Sequence, residues 1–420
     1  MAKQLHRKFT TEQIKSLLEK YISKEIKIDY VLEILGIKRS RFFEVLKEYR
    51  EDPEQFSILY SRTKSTHKIR DEIEKNIINE LRIEKRLIED KNMPIRTYNY
   101  SYIRDQLWNK YGQKVSVPTI IDRAKKNNFY FPRPKRKSHD REVLTNYVGE
   151  LIQHDSSWHR WSPYAGEKWH LITSLDDYSR NMLYADFVAP ETSWDHIFAL
   201  ENVILRYGFP YSYYVDSHSI FRFVQKRDSF WRTHHKLTDD VDPQWKQVLN
   251  DCQVKITYAL SPQARGKVER PYSWLQDRIV RTCAREMVRT IGQAREVLGV
   301  EVNRYNNHQV HSTTGEIPSL RFYQALDDKK SLFRDFAVPP PFESSKDIFC
   351  LRAERIVNPY RKISFSNLEF KLEDVPIRST VQLRIVPDKE SGLSEIRFWY
   401  ENRLVAIQKI KNEDLNLVRF

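Results

Sequence analysis

The sequence predicts a multidomain protein with an all-α N-terminal region, a central α/β domain and a small C-terminal β-barrel. The hydrophobic period is helical up to about residue 130, alternates between strand-like and helical runs from about 147, and is strand-like after 342. Pro-containing stretches at 131–137 and 338–341 separate these regions. We therefore expect domains at 1–65, 66–140, 141–330 and 342–420.

Composition limits the classes of protein to be considered. The chain has 420 residues, 40% of them hydrophobic, and lacks a run of about 20 apolar residues that would cross a bilayer. We expect a soluble cytoplasmic protein, associated with the nucleoid, without a membrane partner. The 10 glycines do not form a nucleotide phosphate loop, and the three cysteines form no Cys-x-x-Cys pair. Dinucleotide-dependent enzymes, P-loop ATPases and thiolate zinc sites are therefore disfavoured.

The charge is unevenly distributed along the chain. The net charge is +14, and residues 1–142 contain 33 Lys/Arg against 21 Asp/Glu, a net of +12. A basic excess of this kind is typical of proteins that bind a polyanion. Double-stranded DNA is the partner that we expect.

The first part of the N-terminal region is predicted to form a helix-turn-helix module. Thr10 and Gln13 form a capping-box pattern before one helix, and Gly36 separates a helix at 28–35 from another at 40–49. Four basic residues occupy the positions from which a recognition helix contacts DNA: Lys38, Arg39, Arg41 and Lys47. A solvated basic helix face is the alternative.

A second helix-turn-helix module is predicted downstream. Helices are expected at 69–89 and 100–111, and Ser116 with Pro118 begins a third helix carrying Arg123, Lys125 and Lys126. The extended stretch that follows contains four more cations: Arg133, Lys135, Arg136 and Lys137. This stretch either tracks a DNA backbone or is a solvated linker.

The central region is predicted to have the element order β-β-β-α-β-α-β-α, which defines a mixed α/β layer. Its strands are expected at 147–158, 170–175, 182–188, 211–215 and 255–260, and its helices at 193–207, 244–251 and from 263. After 342, alternating runs at 362–365, 369–372, 380–386, 395–400 and 404–409 predict the β-barrel.

Three acidic residues stand at the ends or centres of these predicted elements. Asp155 interrupts the first strand, Asp216 follows the fourth strand, and Glu269 lies in the first turns of the long helix. Carboxylates brought together repel one another unless a hard cation with oxygen ligands neutralises them. Two Mg²⁺ or Mn²⁺ ions at such a site would catalyse phosphoryl transfer. Taken singly, each acid also fits a cap, a turn or a surface position.

The surrounding sequence resembles the DDE transposase and integrase superfamily, specifically bacterial insertion-sequence transposases with a retroviral-integrase-like catalytic core. The resemblance covers about residues 147–325. It depends on five segments in order: GELIQHD at 149–155, LDDYSR at 175–180, YVDSHSIF at 214–221, SPQARGKVER at 261–270, and YNN-x3-HS-x2-G-x2-P at 305–318. It implies a ribonuclease H-like fold with Asp155, Asp216 and Glu269 as catalytic and metal-binding residues.

One spacing departs from the pattern of this family. Asp216 and Glu269 are 53 positions apart in the sequence, more than in the commonest members. The additional length indicates an insertion at about 222–242, which would be a surface loop or a contact to DNA or a partner subunit. Beside Glu269, Lys267 and Arg270 would hold phosphates or form a solvated helix face.

The resemblance implies a transposase that binds the terminal inverted repeats of its own insertion sequence. Metal-dependent cleavage would free a 3′-hydroxyl group, which then attacks target DNA directly. Because two element ends must be joined together, we expect at least a homodimer. Two alternatives stay open: a domesticated, non-catalytic DNA-binding regulator, and a ribonuclease H-like nuclease without strand transfer.

Overall fold

A computed structural model describes residues 5–59, 69–132, 145–215, 244–258 and 269–415. Only the backbone is described at Arg7, Glu269, Arg270 and Pro271. The chain divides into two compact units, Met1–Glu74 and Lys75–Phe420. Among the described helices, none combines the length and apolarity needed to cross a bilayer.

The first unit contains three short helices around one apolar core. These are α1 (Thr11–Ile22), α2 (Ile28–Leu35) and α3 (Arg39–Glu51). The predicted capping box is present, because Gln13 N donates to Thr10 Oγ1 at 3.3 Å and Thr10 N donates to Gln13 Oε1 at 2.9 Å. Gly36 ends α2 in the left-handed conformation at φ 59°, which glycine adopts without a steric penalty.

The second unit includes three further helices before the sheet, at the predicted positions. They are α4 (Asp71–Glu89), which begins in the first unit, α5 (Tyr100–Tyr111) and α6 (Val117–Lys126). Ser116 caps α6 by accepting a hydrogen bond from Thr119 N at 3.3 Å, as its position before Pro118 predicts.

The central sheet confirms the predicted element order. Its strands are β1 (Ile152–His159), β2 (Trp169–Asp176), β3 (Met182–Val188), β4 (Ser212–Val215) and β5 (Lys255–Tyr258). The helices that accompany them are α7 (Ser193–Tyr207), α8 (Gln244–Asp251), α9 (Glu269–Arg285), α10 (Ile291–Asn307) and α11 (Pro318–Asp327). The strand order is β3-β2-β1-β4-β5, antiparallel between the first three strands of the chain and parallel between β1, β4 and β5.

The sheet is covered on both faces. On one face, apolar side chains of α7, α8 and α11 form a cluster with those of the C-terminal region; its members include Ile197, Trp245, Phe322 and Phe349. On the other face, α9 and α10 pack against β2 and β3 through a cluster that includes Leu171, Phe187, Leu275 and Leu298. A sheet buried in this way forms a three-layer α/β domain.

The C-terminal region differs from the predicted β-barrel. Its elements are α12 (Ser345–Ile348), β6 (Leu351–Ile356), β7 (Lys362–Phe365), β8 (Leu368–Lys371), β9 (Thr380–Asp388), β10 (Leu393–Tyr400) and β11 (Arg403–Lys411). The described strands form an open sheet, β11-β10-β9-β6, and a separate hairpin, β7-β8. Alternating apolar residues predict strands with one buried face, but they do not determine whether the edge strands pair.

Candidate active site

Asp155 lies in the middle of β1, the central strand of the sheet. Its side chain is half-buried, and its Oδ1 accepts a hydrogen bond from Ser156 N at 2.9 Å. In the antiparallel pairing with β2, Asp155 is opposite Thr173. Directly opposed residues project to the same face, so the two side chains are neighbours.

The start of α9 lies at this same face of the sheet. The Thr173 hydroxyl donates to the hydroxyl oxygen of Tyr272 at 2.7 Å, and both residues are buried. Tyr272 is three residues after Glu269, the first residue of α9. The backbone of the first turn of α9 is therefore held beside the strand position that faces Asp155.

The other predicted residues of the site are only partly described. Asp216 and Lys267 lie outside the described residues, and the structure describes only the backbone at Glu269 and Arg270. Among the side chains that are described, no three His, Cys, Asp or Glu residues come together as a metal-binding group. The structure thus brings together Asp155 and the start of α9 and leaves the three-carboxylate site as a prediction.

Two segments of the predicted motif fix the ends of the first two strands. Gly149 N donates to Asp176 Oδ1 at 2.8 Å, and Asp177 forms an ion pair with Arg180 at 2.9 Å in the turn after β2. Both carboxylates are fully buried, and burial raises the pKa of Asp176 to about 6. A Cβ atom at residue 149 would lie 2.6 Å from the Phe333 ring, which explains the glycine there. Both acids therefore stabilise the turn that leaves β2.

A buried group of ion pairs, which the sequence reasoning missed, anchors α9 to α4 and α5. Arg281 pairs with Glu84, and both side chains are 0% exposed. Arg285 pairs with Glu80 at 2.6 Å and with Glu84 at 3.2 Å, and Arg278 pairs with Asp105 of α5. The available signal was the spacing of three arginines at i, i+3 and i+7 on one face of α9. These pairs set the position of the helix that begins at Glu269.

A second group of polar residues lies on the opposite face of β1 and was also missed. His154 Nε2 is hydrogen-bonded to His196 Nδ1 at 2.8 Å, and His196 Nε2 to Glu191 Oε1 at 2.9 Å. Burial lowers the pKa of His154. Burial opposes ionisation of Glu191, but hydrogen bonds with His196 and Ser156 lower its pKa to about 2. Since side chains alternate along a strand, this network does not share the face of Asp155.

The predicted DNA-contacting residues that the structure describes lie at the surface of their own units. In the first unit, Lys38, Arg39, Arg41 and Lys47 are exposed, and Arg41 pairs with Glu44 at 2.8 Å. In the second unit, Asp122 pairs with Arg123 at 2.5 Å and with Lys126 at 3.0 Å, and Lys125 Nζ lies 4.9 Å from the centre of the Tyr130 ring. The predicted contacts Arg133, Lys135, Arg136 and Lys137 lie outside the described residues.

Known proteins similar to this chain include transposases. No protein-family model matches it. It is 27% identical over 254 residues to the putative transposase y4bF of Sinorhizobium fredii, covering 60% of this chain and 49% of that protein. It is also 27% identical over 237 residues to the transposase for insertion sequence IS1202 of Streptococcus pneumoniae, covering 56% of this chain and 45% of that one. The chain thus spans about half the length of these relatives.

Solved structures with weak similarity include retroviral integrases. The catalytic core domain of HTLV-2 integrase in complex with magnesium gives a TM-score of 0.31 at 16% identity, covering 43% of this chain and 99% of that one. A simian T-cell lymphotropic virus intasome in complex with the B56 gamma subunit of PP2A gives 0.33 at 14% identity, covering 73% and 92%. The two sequence relatives, rather than these superpositions, confirm the predicted resemblance to insertion-sequence transposases.

Proposed function

We propose that this protein is a DDE-type transposase with a ribonuclease H-like core. It binds the terminal inverted repeats of its insertion sequence and catalyses 3′-end cleavage and strand transfer. The observation that carries the proposal is the position of Asp155 on the central strand, opposite the first turn of α9, in a chain similar to two transposases.

The strand register supports a place for Asp216 beside Asp155. Parallel pairing of β1 with β4 joins Ile152 to Tyr213 and Gln153 to Tyr214, an offset of 61 positions. The same offset, carried along β1 to Asp155, corresponds to position 216, which directly follows the end of β4. Adjacent parallel strands are about 4.8 Å apart, close enough for two carboxylates to share a cation.

The donor set fits a hard divalent cation. Asp155, Asp216 and Glu269 supply only carboxylate oxygens, which are the ligands that Mg²⁺ and Mn²⁺ prefer. When bound, one or two such ions would stabilise charge on the attacking and leaving oxygens of the phosphate. The role of the protein is to hold the three carboxylates and to align the nucleophile with the scissile phosphorus–oxygen bond.

The reaction has two steps at this site. Water attacks a phosphodiester at the element end, and the phosphorus–oxygen bond to the 3′ oxygen breaks, which leaves a 3′-hydroxyl group. That hydroxyl then attacks a phosphodiester of the target, forming one phosphorus–oxygen bond as another breaks. No covalent bond to the enzyme is formed.

DNA binding is assigned to the basic surfaces of both units. The cations on and before α3 and those of α6 would contact DNA as in helix-turn-helix proteins, and the cations at 133–137, outside the described residues, belong to the same proposal. Joining two element ends in one reaction requires two active sites, so the active form is at least a homodimer. The predicted domains at 1–65, 66–140, 141–330 and 342–420 remain part of this proposal.

A strand-transfer assay tests the proposal. The intact protein, with Mg²⁺ and duplexes from the ends of its own locus, should cut and join DNA. Asp155→Asn should lower both steps by at least about a thousandfold, since the metal loses a charged ligand. DNA affinity should change by less than about threefold, because Asp155 is separate from the proposed phosphate contacts. Asp328→Asn, at an exposed surface position, is the matched control and should retain full activity.

Three other results would contradict parts of the proposal. Cleavage without joining would favour a nuclease, and binding without either reaction would favour a DNA-binding regulator. Full activity in Asp155→Asn would remove Asp155 from the site. Asp216→Asn and Glu269→Gln extend the same test to the other two carboxylates.

A further inference from the structure

A positively charged cleft lies at the far end of β1. It has a volume of about 440 Å³, and its lining includes one histidine, His159, and four cationic side chains: Lys91, Arg96, Arg160 and Lys168. One wall is the loop after α4, and the other is formed by the end of β1 and the approach to β2. None of these residues belongs to the proposed metal site or to the predicted DNA contacts.

The walls of the cleft are fixed by buried contacts. Met93, 1% exposed, packs against Val280 and Ala284 of α9. The Tyr164 hydroxyl donates to Asp90 Oδ2 at 3.0 Å, which ties the segment between the strands to the end of α4. The cleft therefore exists before any ligand binds, as expected of a binding site.

Arg96 is held in place by hydrogen bonds to backbone carbonyl groups. Its guanidinium group donates to the carbonyl oxygens of Ile88, Asp90 and Lys91 at 2.9, 2.6 and 3.1 Å, respectively. These are carbonyl groups at the C-terminal end of α4, where a cation is favoured. The positive charge stays at the edge of the cleft.

The other cations lack carboxylate partners. Within the part of the chain that the structure describes, none of Lys91, Arg160 and Lys168 forms an ion pair, and all three are exposed. Lys168 Nζ lies 4.2 Å from the centre of the exposed Trp158 ring, which orients its charge without neutralising it. Unpaired cations gathered around one cleft repel one another, and an anionic ligand relieves that repulsion.

Two carboxylates adjoin the cleft in the sequence and are outnumbered by its four cations. Asp90 accepts a hydrogen bond from Tyr164, and Glu167 accepts one from the Trp169 indole at 2.9 Å. His159 Nε2 is buried and has no hydrogen-bond partner among the described residues. Burial and the charges of Lys168 and Arg160 lower the pKa of His159. The ring therefore adds a neutral polar atom to a cationic site.

His159, which lines the cleft, lies on the same strand as Asp155. His159 is four residues after Asp155 in β1, so the two side chains project to the same face of the sheet. At about 3.3 Å per strand residue the separation is roughly 13 Å. Successive phosphates of one DNA strand are about 7 Å apart through space, because the strand winds around the axis as it rises, so that separation corresponds to about two nucleotides.

We propose that this cleft binds backbone phosphates of a DNA duplex, about two nucleotides from the phosphate that is cut at Asp155. The proposal rests on the proposed function, because the cut phosphate defines the reference position. The cleft would thereby set the direction in which the duplex leaves the active site.

The test combines a cleft variant with DNA that carries single neutral linkages. The variant is Lys91→Ala/Arg160→Ala/Lys168→Ala, and the matched control Arg82→Ala/Lys85→Ala/Arg86→Ala removes three exposed cations from α4. The probes are duplexes from the ends of the locus in which one phosphate at a time is replaced by methylphosphonate. Affinity for each duplex is measured at several salt concentrations.

Neutral linkages about two nucleotides from the cut should weaken binding of the intact protein and of the control. The cleft variant should bind the unmodified duplex more weakly, with a salt slope smaller by about two if two phosphates are lost. It should lose nothing more when those same linkages are neutral. Equal sensitivity to these linkages in the cleft variant and the intact protein would overturn the proposal, as would equal loss of affinity in both triple variants.

The outcomes for the two proposals can be distinguished. Suppose that the intact protein cuts and joins DNA, but the cleft variant stays as sensitive to the neutral linkages as the intact protein. Only the cleft proposal would then be contradicted. If the cleft variant loses its sensitivity to the neutral linkages but the intact protein cuts no DNA, the DNA-binding cleft is retained and the proposed transposase activity is contradicted. An unchanged melting temperature in both triple variants would show that each is folded.

Discussion

Asn306 shows how one polar side chain fixes a helix to the central sheet. Its Oδ1 accepts from Met182 N and its Nδ2 donates to Met182 O, both at 2.9 Å. Met182 is the first residue of β3, and Asn306 is near the end of α10. Both hydrogen bonds lie at a partly buried position, where an unpaired backbone group is costly.

Asn306→Ala should therefore lower the free energy of unfolding by about 1–3 kcal/mol, because two backbone groups of Met182 lose their partner. Asn307→Ala is the matched control. Asn307 is exposed, and among the described residues its side chain is hydrogen-bonded only to Asn303, at 2.7 Å, so its loss should cost less than about 0.5 kcal/mol. Urea denaturation measures both changes, and equal values for the two variants would contradict this account of Asn306.

His311, in the same predicted segment, makes stability depend on pH. Burial, together with the positive charge of Arg180, lowers the pKa of His311 from 6.5 to about 4. The unfolded chain therefore binds a proton at a higher pH than the folded chain. Protonation of His311 therefore favours the unfolded chain, and the free energy of unfolding should decrease as pH falls from about 6.5 to about 4.

His311→Asn should reduce that dependence, since asparagine does not titrate. The difference in unfolding free energy between this variant and the intact protein, measured by urea denaturation, should diminish or reverse as the pH is lowered through this window. A difference that stays constant with pH would show that His311 has the same pKa in the folded and unfolded chains.

At the scale of elements, the position of α9 depends on buried charge. Arg281 and Glu84 are both fully buried, and Arg281 also pairs with Asp277 at 2.9 Å. Burying two charges costs a large desolvation energy, which the attraction between the partners offsets. Removing one partner therefore leaves an uncompensated charge in the interior. These buried ion pairs therefore constrain the position of α9, the helix that begins at Glu269.

Arg281→Met should lower the free energy of unfolding by about 3–5 kcal/mol. Arg295→Met provides the comparison, because Arg295 pairs with Asp186 at 2.8 Å but is 48% exposed. Its loss should cost about 1 kcal/mol or less. Urea denaturation of both variants measures these changes in the free energy of unfolding. A small effect of Arg281→Met would mean that the buried ion pairs contribute little to holding α9.

At the scale of the whole molecule, the distribution of charge determines how DNA binding should depend on salt. The net charge of +14 includes +12 from residues 1–142, whereas residues 143–420 contribute only +2. Cations that neutralise DNA phosphates release counterions, so binding weakens as salt increases. The basic N-terminal third and the cleft should both contribute to this effect.

The affinity of the intact protein for a duplex from the end of its locus should fall by roughly a thousandfold between about 50 and 200 mM salt, if six or more phosphates are contacted. Titration at several salt concentrations gives the slope. An affinity that changes little over this range would contradict the assignment of the basic surfaces to DNA.

The sequence by itself determined the elements whose limits depend on local interactions. The bounds of β3, α5, α7 and α8 agree with the predicted 182–188, 100–111, 193–207 and 244–251. Caps and hydrophobic periods act over a few residues, so they can be read directly. The placement of Asp155 within the first strand followed from the same local pattern.

Only the tertiary structure decided which distant residues meet. It paired Asp155 with Thr173 and brought Tyr272 to that position, and it joined Glu84 to Arg281 across 197 positions. It also left the C-terminal strands as an open sheet with a separate hairpin. Strand pairing, buried ion pairs and the basic cleft depend on the packing of whole elements. No local pattern encodes such contacts, because each partner alone is compatible with many others.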